Sequence, residues 1–120
     1  MKTIEHGTPE WYSERAKRVG ASEVPTLLGI SKYETPAEMW GRKKGLLPRF
    51  EGNAATDRGQ IFEAPVAECW AKDTGTAIER VGTLVIDGSL CATRDYMRIA
   101  DGAPIEIKTS AGGWQDSWWW

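Results

Sequence analysis

The run Ile105-Glu106-Ile107-Lys108-Thr109 sets a carboxylate and an ammonium two residues apart. On a β-strand side chains alternate between faces, so Glu106 and Lys108 share one face while Ile105 and Ile107 turn to the core. A glutamate there can hold Mg²⁺, a hard cation that takes oxygen ligands. A lysine beside it can orient an attacking water or stabilise charge developing on a phosphate. The pair alone is a weak signal, because a charged pair on a strand is far more often a solvated ladder. Asp95 strengthens it. It stands eleven residues upstream, at the end of a candidate strand with one hairpin between. Antiparallel pairing would return it to Glu106, and two carboxylates at one point repel unless protonated, ion-paired or bridged by a metal. The alternative for Asp95 is a residue that starts a turn.

Other residues join this set with less force. Glu63, in Arg58-Gly59-Gln60-Ile61-Phe62-Glu63, falls in a helical stretch and supplies a third carboxylate, or else an exposed helix glutamate. The basic stretch from Arg15 to Arg18 leads to Ser22 at a candidate helix start, and both arginines and helix N-termini bind phosphate. The alternative is a solvated helix end with a capping serine. Arg42, Lys43, Lys44 and Arg49 form a second basic cluster that suits a DNA backbone or an ordinary charged surface. A Ser-His-Asp triad is disfavoured, because His6 is alone and near an end expected to be mobile. No phosphate-cradling or dinucleotide-binding glycine motif occurs.

These side chains need a scaffold. Thr8-Pro9 opens a helix to about Lys17. Gly20-Ala21 break it, and Ser22 is expected to cap a short helix through Leu28 that Gly29 ends. Thr35-Pro36-Ala37-Glu38 combines a capping box with a first-turn proline and starts a third helix, ending near Gly45. Residues 46–53 read as a loop. The longest helix is expected over Ala54 to Lys72, its apolar side formed by Ile61, Phe62, Val66, Cys69 and Trp70, with Pro65 kinking it or delaying its start. Beyond Gly75 the period changes to strands: Ala77–Ile86, an Asp87-Gly88 turn, Leu90–Thr93, then Tyr96–Ile99 and Ile105–Lys108 joined around Asp101-Gly102. Helices followed by a β-meander indicate an α+β fold with a mixed central sheet and flanking helices.

With 120 residues and a net charge of −2, one domain with a small core is expected, and any DNA contact must use a local patch. Cys69 and Cys91 lack CxxC spacing, so a zinc site and an oxidising compartment are both disfavoured. No apolar run reaches membrane-spanning length, and the first residues lack the apolar stretch of a signal peptide. A soluble cytoplasmic protein is therefore the expectation. Trp114 and the run Trp118 to Trp120 would be an aggregation risk if exposed, which reads as an N-terminal portion of a longer protein.

Over nearly the whole chain the sequence resembles the lambda-exonuclease-like (YqaJ-type) viral recombinase nucleases, a branch of the PD-(D/E)xK superfamily. The matching pieces run in order. They are Trp11 with Arg15, Gly20-Ala21-Ser22-Glu23-Val24, Leu27 to Pro36, Arg58 to Glu63, Ala92-Thr93-Arg94-Asp95-Tyr96, and Ile105 to Thr109. The resemblance implies a restriction-endonuclease-like fold whose C-terminal part is incomplete here, with residues 1–120 forming the N-terminal portion of a single nuclease domain. It implies Asp95, Glu106, Glu63 and the Ile107 carbonyl as ligands of one or two Mg²⁺ or Mn²⁺ ions, and Lys108 as the catalytic lysine. Arg15, Ser22 and Thr93 match residues that hold the 5′-phosphate of a DNA end.

The implied activity is degradation of one strand of duplex DNA from its 5′ end in phage-type recombination. The implied partners are double-stranded DNA ends, a single-strand annealing protein and two further copies in a ring-shaped trimer. The implied setting is the cytoplasm of a bacterial host, with phage or prophage origin and no membrane. Two departures stand out. Arg94 replaces the proline usual before the aspartate, and the chain stops before a Gln and Tyr that complete the family's site. A restriction-like or repair endonuclease of the same superfamily, or a non-catalytic DNA-binding or interaction module, are the alternatives.

Overall fold

The computed structural model describes residues 3–109. They fall into two compact units, residues 3–50 with Arg80–Asp95, and Glu51–Glu79 with residues 96–109. The architecture is α+β. Trp114 and Trp118 to Trp120 lie outside the described residues.

The first unit is built on a mixed four-stranded sheet in the order β1-β4-β5-β2, from Thr3–Glu5 (β1), Val19–Gly20 (β2), Thr83–Asp87 (β4) and Leu90–Thr93 (β5). β4 and β5 form the expected hairpin, with Asp87 opposite Leu90. The turn centres on Gly88-Ser89, one residue later than Asp87-Gly88, because Asp87 is itself paired and the left-handed position (φ +57°) is Gly88. β1 pairs antiparallel with β4, and β2 runs parallel to β5. These short strands correct the helices-first order: three and two residues carry no periodicity of their own, and the hairpin edges recruit them. His6 is likewise not at a loose end. Its backbone N–H donates to the Gly82 carbonyl (3.1 Å), and its ring meets Trp11 edge-on at 4.5 Å. Ile4, Trp11, Leu84 and Cys91 form the core, with Ile86 packed against it.

The helices of this unit follow their caps. Thr8 accepts from the Trp11 N–H at the start of Pro9–Ala16 (α1). Thr35 and Glu38 close a reciprocal capping box at Pro36–Lys43 (α3). The second helix differs from expectation. Ala21–Glu23 is a 3₁₀ turn, followed by the single-turn helix Val24–Leu27 (α2). Ser22 therefore sits inside the turn rather than capping it, because the turn already begins at Ala21 with Gly20 at its N-cap, and the Glu23 carboxylate reaches back to accept from the Gly20 N–H.

The second unit contains Ala54–Thr74 (α4) and, but for Arg80, a three-stranded sheet in the order β3-β6-β7, from Ile78–Arg80 (β3), Tyr96–Arg98 (β6) and Pro104–Ile105 (β7). Asn53 caps α4 by accepting from the Ala55 and Thr56 N–H groups, and Gly75 in the left-handed conformation (φ 65°) ends it. The helix runs unbroken through Pro65, which denies the Ile61 carbonyl its helical donor. Its buried residue is Ala67, whereas Ile61, Phe62, Val66 and Trp70 are exposed among the described residues. The stretch Ala77–Ile86 is not one strand. Gly82, at φ +57°, breaks it into β3 and β4, which belong to different sheets. The expected second hairpin forms, with Tyr96 opposite Ile105 and Met97 opposite Pro104. Arg98 and Asp101 clamp its turn at 2.8 and 2.5 Å. That bond is the main reason the Asp101 carboxyl is pulled down to about 2. No helix among the described residues is long and apolar enough to cross a membrane.

Candidate functional site

Glu106 and Lys108 follow directly on β7. The paired strand ends at Ile105, so these residues form an extended segment rather than the ladder expected. The alternation survives: Ile105 and Ile107 are half-buried, Glu106 and Lys108 exposed. The Lys108 ammonium lies 2.6 Å from the Glu106 carboxylate, with side chains 63% and 53% exposed. Both heads are thus open to a ligand from solvent. Helix α4 bears on the same segment. A Cβ built on Gly59 would stand 3.7 Å from the Thr109 hydroxyl, an ordinary van der Waals contact. Glu63, four residues on from Gly59, shares its helix face and is half-buried.

Asp95 belongs to the first unit. It is half-buried at the end of the β4–β5 hairpin, and its carbonyl accepts from the Val81 N–H at 3.0 Å. Arg94 explains its own departure from the family pattern. Its backbone N–H donates to the Thr83 carbonyl (3.3 Å), and its carbonyl accepts from Gly82 (3.0 Å). A proline at this position would lack that first bond. The carboxylates of Glu63, Asp95 and Glu106 and the Ile107 carbonyl are all oxygen donors, the set that suits a hard divalent cation. Among the described residues no group of three or more His, Cys, Asp or Glu side chains is gathered to hold a metal ion.

Arg15, Ser22 and Thr93 all belong to the first unit. Arg15 and Thr93 share a neighbour in Trp11. The Arg15 guanidinium lies over the indole at 4.8 Å, and the indole N–H donates to the Thr93 hydroxyl at 3.3 Å. Ser22 is exposed on the 3₁₀ turn. Beside Arg15 opens a cleft of about 220 Å³, lined by Trp11, Tyr12, Glu23, Arg42, Lys43 and Arg49 among others.

The basic cluster of Arg42 and Lys43 does not form a free cationic face. Arg42 bonds both oxygens of Glu34 (2.9 and 3.0 Å) and one of Glu23 (3.1 Å). Lys43 donates to the carbonyls of Arg15 (2.9 Å) and Arg18 (2.6 Å) and pairs with Glu23 (2.8 Å). Arg49 stacks on Tyr12 at 4.4 Å. Glu23 is the residue that sequence reasoning missed as a component of the site. It is buried, at 7% exposure. Burial pushes its carboxyl up, but hydrogen bonds from Lys43, the Gly20 N–H and Arg42 outweigh this and hold it below the usual carboxylate range. The one available signal was its place in Gly20-Ala21-Ser22-Glu23, a carboxylate three residues after a glycine, the spacing at which an N3 glutamate reaches back to the N-cap N–H.

The family model of the YqaJ-like viral recombinase domain matches residues 10–113, most of the chain. The chain belongs to this viral recombinase family. Among curated relatives, the uncharacterized protein YqaJ of Bacillus subtilis (strain 168) is 29% identical over 123 residues. The alignment covers 96% of this chain and 39% of that protein, so the chain spans well under half its relative's length. The α+β arrangement agrees with the restriction-endonuclease-like fold of YqaJ-like domains. The matched range also takes in Arg15, Ser22, Glu63, Thr93, Asp95 and the Glu106–Lys108 segment.

Proposed function

We propose that this YqaJ-like chain is part of a Mg²⁺- or Mn²⁺-dependent DNA exonuclease that degrades one strand of duplex DNA from its 5′ end. The carrying observation is the solvent-open pair Glu106 and Lys108, side by side after β7 in a viral recombinase domain. Glu63, Asp95, Glu106 and the Ile107 carbonyl are the residues that would hold one or two ions. When bound, such an ion lowers the pKa of water and offsets charge on the leaving oxygen. Lys108 would orient the attacking water and neutralise charge building on the non-bridging phosphate oxygens.

Arg15, Ser22 and Thr93 would take the terminal 5′-phosphate, where a guanidinium fork matches the phosphate oxygens. In the hydrolysis, the water oxygen bonds to phosphorus, the P–O3′ bond breaks and the 3′ oxygen leaves with a proton. The shortened strand therefore again begins with a 5′-phosphate, the group that the Arg15 site would bind in the next cycle. The product is a 3′ overhang, which fits a single-strand annealing protein as partner. A ring-shaped homotrimer around the duplex and a place in the cytoplasm of a phage-bearing bacterium complete the proposal.

The test uses the full-length protein with linear 5′-phosphorylated duplex and closed circular duplex, each with and without Mg²⁺. Digestion of the linear DNA alone, dependent on Mg²⁺, is expected. Cutting of the closed circle would favour a restriction-like or repair endonuclease of the same superfamily. Binding without cutting in either Mg²⁺ or Mn²⁺ would favour a non-catalytic DNA-binding module.

A further inference from the structure

The cleft beside Arg15 holds four cations on its walls, yet they are not equivalent. Arg42 and Lys43 are engaged with carboxylates and backbone carbonyls, and Arg49 lies on Tyr12. Arg15 is held differently. One face of its guanidinium rests on Trp11 at 4.8 Å. The Glu23 carboxylate lies 3.8 Å away, close enough to attract but too far for a hydrogen bond. Gly20 supplies the remaining wall. A Cβ there would stand 3.0 and 3.2 Å from the two terminal nitrogens of Arg15 and 3.2 Å from Glu23. Arg15 thus has a seat fitted on three sides, while its N–H fork is not consumed by Glu23.

Glu23 can serve this seat because it is itself fixed. Its Oε2 accepts from the Gly20 N–H (2.7 Å) and pairs with Lys43 (2.8 Å), and its Oε1 accepts from Arg42 (3.1 Å). Arg42 and Lys43 reach it from α3, so the 3₁₀ turn, α1 and α3 all meet at this carboxylate.

We propose that Glu23 is a positioning residue which, with Gly20 and Trp11, aims Arg15 at the 5′-phosphate and so sets the preference for phosphorylated over hydroxyl DNA ends. The proposal rests on the reading of Arg15 as a 5′-phosphate ligand. A buried carboxylate fixed by two other cations leaves Arg15 attracted but unbonded, and preorganised donors of this kind lose binding steeply when displaced by about an ångström.

The experiment compares initial digestion rates by the full-length protein on the same linear duplex with 5′-phosphate or 5′-hydroxyl ends. The readout is the ratio of the two rates, which a loss of folded protein leaves unchanged. Arg15→Ala is expected to bring the ratio close to one. Glu23→Gln keeps the size and an acceptor for Gly20 but removes the charge, and is expected to lower the ratio about tenfold. Gly20→Ala, which intrudes on Arg15 and leaves both charges in place, is expected to lower it as well. A ratio unchanged in Arg15→Ala would overturn the phosphate reading itself. A ratio lost in Arg15→Ala but kept in both Glu23→Gln and Gly20→Ala would leave that reading standing and overturn the positioning role. Should Glu23→Gln fail to fold, Gly20→Ala decides alone.

Discussion

The Lys43 ammonium lies 2.8 Å from the Glu23 carboxylate, with side chains only 13% and 8% exposed. Lys43 also ties down the carbonyls of Arg15 and Arg18, so one ammonium joins α3 to the last turn of α1 and to the 3₁₀ turn. Removing one partner of a buried pair strands the other charge. Lys43→Met is expected to destabilise the protein by about 2–3 kcal/mol, less than full stranding because Arg42 and Gly20 still serve Glu23. Lys17 forms an equally short pair with Glu14 (2.8 Å) but is 61% exposed, and Lys17→Met is expected to leave stability unchanged. Urea unfolding of the two variants checks the contrast, and equal losses would contradict the structural role given to Lys43.

Glu23 also fixes a pH dependence. Its carboxyl titrates below the ordinary value of 4.5 in the folded protein, because the bonds from Lys43, Gly20 and Arg42 outweigh the opposing effect of burial. A depressed folded value means that the unfolded chain binds the proton more tightly. The contribution of Glu23 to stability is therefore complete above about pH 4.5 and is lost as pH falls through the lower folded value. Unfolding free energies of wild type and Glu23→Gln, measured from pH 7 down to about pH 3, are expected to differ by a constant amount at first and then converge. A gap that widens on acidification would show that the sign is wrong.

Much of this scaffold is legible in the sequence where the local chemistry is self-contained. Thr8-Pro9 and Thr35 to Glu38 mark helix starts because each cap is satisfied within a few residues of itself. Gly88 and the alternating residues around it mark the hairpin for the same reason. The Asn53 cap of α4, by contrast, falls in a stretch that reads only as loop. What could not be read depends on distant partners. β1 and β2 exist because β4 and β5 offer them edges, and Gly82 splits a stretch whose composition suits one continuous strand. The apolar residues of α4 show where periodicity misleads: Ile61, Phe62, Val66 and Trp70 have helical spacing, yet the buried residue is Ala67. At the site, the residue types and the alternation of Glu106 and Lys108 were evident. The inward turn of Arg42 and Lys43 was not, because a charge run does not say which of its members meets a buried carboxylate.

The cap of α4 gives a direct test of how Glu63 is carried. Asn53 accepts from two backbone N–H groups, of Ala55 (2.9 Å) and Thr56 (3.0 Å), at the start of the 21-residue helix. Asn53→Ala is expected to cost about 1 kcal/mol and to fray the first turn, leaving the turns around Glu63 intact. Amide exchange should quicken at residues 54–57 and stay slow near residue 63. Uniform quickening along α4 would show that the helix depends on its cap throughout.

Lys108 separates a structural from a catalytic role most sharply. Its pair with Glu106 is short, 2.6 Å, but both side chains are more than half exposed. An ion pair in that setting is screened by water and constrains two flexible chains, so it contributes less than about 1 kcal/mol. If the pair were only a surface contact, Lys108→Ala would change neither stability nor cutting. If Lys108 serves the phosphate, the same change leaves the unfolding transition in place within that margin and lowers the Mg²⁺-dependent cleavage rate of the full-length protein at least about a hundredfold. Lys108→Arg keeps the charge but replaces a compact ammonium with a broad fork, and is expected to leave stability unchanged and recover cleavage only in part. Cleavage by Lys108→Ala at the wild-type rate would remove the lysine from the mechanism and leave Glu106 with its proposed metal-holding role alone.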